Sequence, residues 1–125
     1  MKPSILAIDP EAGWHHEYRD ANKNTAPGAD LVLEYEIDAA LKHLEANRCQ
    51  VIVLALNHND TAAKVNHAYD LLIGACPEAT IVFFAVHRPY DLTRLFRTPV
   101  ALVFKPDFAT LFRAVKGLIS EPAAQ

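Results

Sequence analysis

Glycine is scarce in this chain. The 125 residues hold four, at positions 13, 28, 74 and 117, and none is grouped behind an apolar run. The glycine-rich loop that lets backbone amides cradle a phosphate is therefore missing, which disfavours nucleotide binding of the usual kinds. Cysteine is scarcer still: Cys49 and Cys76 have neither metal-ligand spacing nor the number needed for a disulfide framework. They point to two buried thiols in a reducing cytosol. Positive charge does not dominate, since 12 Lys and Arg stand against 15 Asp and Glu, for a net charge of -3 and a pI near 6.0. Nothing in that balance advertises direct nucleic-acid contact or an anionic membrane surface. The first apolar stretch, Ile5 to Ile8, ends at Asp9 and Pro10, far short of the roughly 20 residues that span a bilayer and too short for a signal peptide. A cytoplasmic protein is expected. No G-x-S-x-G elbow and no Cys/His pair at a strand end suggest hydrolysis.

What the chain does have is apolar runs. With 51% hydrophobic residues it can bury a core without staples, and its length fits one domain. Four runs recur, Ile5 to Ile8, Val51 to Leu56, Ile81 to Val86 and Val100 to Phe104, with a weaker fifth at Leu31-Val32-Leu33. Continuous apolarity rich in β-branched and aromatic residues is what strands covered on both faces require, so these runs predict a buried parallel sheet.

Between the runs lie helical stripes. Ile37, Leu41 and Leu44 follow Glu36 and Asp38; Val65, Ala68 and Leu72 follow a cap expected at Asp60-Thr61 and stop before Gly74 and Pro77. The clearest is Phe108, Leu111, Val115 and Leu118 behind Asp107 as cap. Residues 11 to 25 are polar, with Trp14 and Tyr18 as anchors, and residues 88 to 97 carry Pro89 near a helix start. Five βα units with right-handed crossovers predict an α/β fold: a doubly wound, five-stranded parallel sheet in the flavodoxin-like order 2-1-3-4-5, in three α/β/α layers. The domain is expected to occupy 1-120, with 121-125 a frayed tail or the start of a linker.

In such a sheet ligands bind beyond the carboxyl ends of the strands. Asp9-Pro10-Glu11, Ala55 to Asp60, Ala85 to His87 and Lys105-Pro106 gather there. Ile5-Leu6-Ala7-Ile8-Asp9, Asp38-Ala39-Ala40-Leu41, the Val51 to Leu56 run and Phe104-Lys105-Pro106-Asp107, taken together, make the chain similar to the receiver domains of bacterial response regulators over essentially its full length. That resemblance implies two acids after strand 1, a phosphate-accepting aspartate ending strand 3, a Ser or Thr ending strand 4, a lysine after strand 5, and a Mg²⁺ ion. Asp9 fills the first acid position, but Pro10 stands in the second, Ala55 in the phosphate-accepting position and Ala85 in the hydroxyl position; Lys105 is retained. Leu102 replaces the aromatic reporter.

An acyl-phosphate needs a carboxylate nucleophile, and Mg²⁺ needs several oxygen ligands. Asp9 alone assembles neither, so no catalytic residue and no cofactor are expected. Asp60 reads as a helix cap, with displaced phosphorylation there as the weaker alternative. Lys105 either pairs with Asp9 or is solvated at its strand end. The resemblance also implies a cis bond before Pro106.

The expected function is that of a non-phosphorylatable receiver-like module in two-component or phosphorelay signalling. It would bind a protein partner or a second copy of itself. The family's docking face would carry Tyr90, Asp91, Arg94, Arg97, Asp107, Arg113 and Lys116, and Arg and Tyr are residue types that anchor interfaces. Two other readings stay open. One is a flavodoxin-like small-molecule or metal-binding domain using Asp9, His58 and His87, although no H-x-x-x-H or C-x-x-C spacing supports a metal. The other is the receiver-like wing domain of a larger enzyme such as an amino-acid decarboxylase.

Overall fold

Apolar runs covered on both faces cannot form an open antiparallel sheet without exposing one side, and here they pair in parallel. The computed structural model describes residues 2–57, 60–86 and 99–120. Its strands are β1 (Ser4–Ile8), β2 (Asp30–Glu34), β3 (Val51–Leu56), β4 (Thr80–Ala85) and β5 (Ala101–Phe104). All are parallel, in the order β2-β1-β3-β4-β5. The helices are α1 (His15–Thr25, preceded by a short 3-10 turn at Ala12–Trp14), α2 (Ile37–Ala46), α3 (Ala62–Ala75) and α4 (Phe108–Ser120). Topology, strand positions and the three striped helices match the sequence expectation. The helix expected within 88 to 97 and the tail 121-125 lie outside the described residues.

The period-2 alternation of each strand divides the core in two. Ile5, Ala7, Val51, Val53, Val82, Phe84 and Val103 face α1 and α4, where Tyr18, Phe108, Leu111, Phe112 and Val115 close over them. Leu6, Ile8, Ile52, Leu54, Leu56, Ile81 and Phe83 face α2 and α3, meeting Ala40, Leu44, Val65 and Leu72. The weak run at residues 31–33 becomes an edge strand that is only half-buried, which is why its apolarity is the thinnest of the five.

Helix starts follow the capping chemistry, with one change of residue. Asp107 accepts the Thr110 amide on Oδ1 at 3.0 Å and its hydroxyl on Oδ2 at 2.7 Å, as expected of the α4 cap. The cap of α3 is Thr61, whose Oγ1 accepts the Lys64 amide at 3.2 Å. Asp60 instead folds back onto the strand end, its Oδ2 accepting the Asn57 amide at 2.7 Å. Among the described residues no helix is long and apolar enough to cross a membrane.

Candidate functional site

Strands β1, β3 and β5 deliver their last residues to one edge of the sheet. In register, Ile8 lies beside Leu54, so the next step sets Asp9 by Ala55. On the far side Lys105 donates its amide to the Ala85 carbonyl at 2.7 Å. Asp9, Ala55, Ala85 and Lys105 are all buried, while Pro10 is exposed. The peptide bond between Lys105 and Pro106 is cis, as the resemblance implied.

The charge at this edge is already paired. Lys105 Nζ lies 2.8 Å from Asp9 Oδ2, with side-chain exposures of 4% and 0%. It also donates to Asn57 Oδ1 at 3.1 Å and to Glu11 Oε1 at 3.3 Å. The pairing expected of Lys105 is present, and the solvated alternative is not. Every oxygen of Asp9 is engaged: Oδ1 accepts the Glu11 amide at 3.0 Å, Oδ2 also accepts the Tyr18 hydroxyl at 2.8 Å, and the carbonyl meets His15 Nε2 at 3.0 Å. Burial, the Asp9 carboxylate, the hydrogen bond to it and Glu11, in that order, push the Tyr18 phenol far above its ordinary range, so it stays a neutral donor. Above the lysine, Trp14 places its ring centroid 5.7 Å from Nζ and donates its indole N–H to Glu11 Oε1 at 3.2 Å.

This geometry decides what the edge can hold. A hard divalent cation would need several free carboxylate oxygens, and those of Asp9 are already engaged by Lys105, Tyr18 and the Glu11 amide, while Pro10 and Ala55 bring no side-chain oxygen and the Asn57 oxygen is spent on Lys105. These residues do not fit Mg²⁺. Glu11 alone has room, being half-exposed. Among the described residues no group of three His, Cys, Asp or Glu is arranged to bind a metal ion. His58 and His87, the histidines of the metal reading, lie outside the described residues, as do Tyr90, Arg94 and Arg97 of the expected docking face. Arg113 and Lys116 are exposed on α4.

Sequence reasoning assigned roles to Asp9, Ala55, Ala85 and Lys105 and placed Glu11 and Asn57 at the same edge without a role, but it did not bring His15 and Tyr18 to the network. Tyr18 had one visible signal: it is one of the two large anchors, with Trp14, in an otherwise polar stretch.

A five-stranded parallel sheet in this order, with helices on both faces, is the CheY-like flavodoxin fold. Solved structures bear the fold out. A response regulator from Thermotoga maritima superposes with a TM-score of 0.73 at 13% identity, covering 96% of this chain and 99% of that one. The signal receiver domain of an HD domain-containing protein from Pseudomonas fluorescens does so at 0.71 and 14%, covering 100% of both. The pilus assembly protein CpaE from Caulobacter crescentus gives 0.71 and 17%, covering 92% of this chain and 98% of that one. No protein-family model and no curated protein matches the sequence.

Proposed function

We propose that this chain is a non-phosphorylatable receiver-like domain of a cytoplasmic signalling system, acting by protein contact or dimerisation and not as an enzyme. One observation carries the reading. The position beside Asp9 that this architecture reserves for a nucleophilic carboxylate holds the methyl of Ala55, and the lysine that would steady a phosphoryl group is neutralised by Asp9. Displaced phosphorylation at Asp60 is disfavoured because that carboxylate holds the Asn57 amide.

The exposed cations Arg113 and Lys116 on α4, and the exposed Phe104 on β5, supply the mixture of charge and aromatic surface that protein interfaces use. The partner is a second copy of the chain or another protein docking on that face. One of the solved structures sharing the fold is a pilus assembly protein, so the scaffold is not confined to proteins described as response regulators.

Incubation with acetyl phosphate and Mg²⁺, followed by intact-mass measurement, tests the chemistry. The expected spectrum shows no phosphoryl adduct. An adduct mapped to any aspartate would overturn the proposal.

A further inference from the structure

A second feature opens beside this edge, on the α2/α3 face of the sheet. A cavity of about 240 Å³ lies between the starts of α2 and α3, with Ile8, Ile37, Leu54, Leu56, Val65 and Ala68 supplying its apolar lining. Pro10 and Ala55, two of the positions at which the sequence departs from the receiver pattern, contribute to the same lining. Neither residue brings a side-chain oxygen, so the wall they form is apolar. Tyr35 forms another side. Although 53% exposed, its ring is stacked on the buried His15 at 4.4 Å between centroids and 14° between planes, so it is held as a flat surface.

Size and charge narrow the occupant. A dry cavity of roughly 150 Å³ takes benzene, whereas drug-sized ligands occupy pockets of about 300 Å³ and more. The volume here suits one ring or a fused pair. The charged residues of the lining are Glu36, Asp60 and Lys64, and the positive ends of α2 and α3 offset the second acid. The rim therefore favours neither sign, while the lining favours a flat apolar body with a polar edge.

We infer that this cavity is a binding site for a small, uncharged aromatic molecule, ring-sized and capable of one or two hydrogen bonds at its rim. The inference stands apart from the adaptor reading, because occupancy of the cavity neither requires nor prevents contact with a partner on the β5 and α4 side.

Indole is a suitable probe, titrated into the full chain and followed by amide NMR. Saturable shifts grouped at Ile37, Val65 and Ala68 are expected. Ala68→Leu, which fills the cavity from a helix position, is expected to weaken binding about tenfold or more, as methylene-scale changes in apolar pockets do. Benzoate and benzylamine, the charged single rings, are expected to bind more weakly than indole. Absence of saturable shifts, shifts that persist undiminished in Ala68→Leu, or equal binding of a charged ring would overturn the inference. Should Ala68→Leu lose the dispersed spectrum of the folded chain, Tyr35→Ser replaces it: weakened binding supports the site and unchanged binding overturns it.

Discussion

At the scale of single residues, the Asp9–Lys105 pair is where one substitution does most. Both side chains are out of water, so each charge depends on the other for compensation. Lys105→Met leaves a buried carboxylate held only by the Tyr18 hydroxyl and the Glu11 amide, and removing one partner of such a pair costs about 3–5 kcal/mol. Asp9→Asn strands the ammonium in the same way, with only half-exposed Glu11 to answer it. The double substitution removes both charges and should recover most of the loss, since apolar or neutral replacements of buried pairs are often close to neutral in stability. Urea denaturation of the four proteins measures this, and additive losses would show that the two charges do not compensate each other. The two positions were legible in the sequence because an acid and a lysine each stand directly behind a run of strand residues, but their pairing was one of two open alternatives. Its supports were not legible: Tyr18 reaches Asp9 because α1 packs beside α4 on one face of the sheet, and Asn57 reaches Lys105 because the ends of β3 and β5 come to the same edge. Those are products of packing, invisible to spacing along the chain.

At the scale of elements, legibility followed how much of each segment is buried. The three striped helices and strands β1, β3 and β4 bury continuous faces, and periodicity reports burial; β5 was legible from its apolar run although only Val103 in it is buried. Helix α1 buries only His15 and Tyr18, so its sequence reads as polar and its start could not be placed. Caps depend on one or two hydrogen bonds, which is why the sequence could place the α3 cap at Asp60-Thr61 but favoured Asp60, where the structure has Thr61. The α4 cap carries its own pH signature. The Thr110 hydroxyl and amide, with Arg113 nearby, hold the Asp107 carboxyl below its ordinary value, so the folded state prefers the ionised form. The contribution of Asp107 to stability is therefore present above the usual carboxylate range and lost as pH falls through it. Asp107→Ala should melt lower than the native chain near neutral pH, and the difference should shrink in acid. Thermal denaturation at pH 7 and pH 3 reads both values; a gap that stays constant would assign the effect to helix propensity and not to the cap.

At the scale of the whole molecule, the sheet with its two covered faces is one rigid platform, and the chemistry it could host depends on a few atoms at its edge. Ala55→Asp tests this directly. The new carboxylate would enter beside Asp9, where one lysine already answers two acids, Asp9 and Glu11. An added buried charge without its own partner costs about 3–5 kcal/mol, as a broken buried pair does, so the variant should melt well below the native chain in the absence of divalent ions. The same carboxylate, with Asp9 and Glu11, restores the oxygen-rich cluster a hard cation needs. A ligand that binds only the folded state raises its stability in proportion to the logarithm of occupancy, so Mg²⁺ should lift the melting temperature of Ala55→Asp and leave that of the native chain unmoved. Stabilisation of the native chain by Mg²⁺ would mean that the edge retains a cation site despite its spent oxygens. Indifference of both proteins would mean that Pro10, which offers no side-chain oxygen to replace the second acid, blocks the cluster on its own, and Pro10→Asp added to Ala55→Asp should then restore the response.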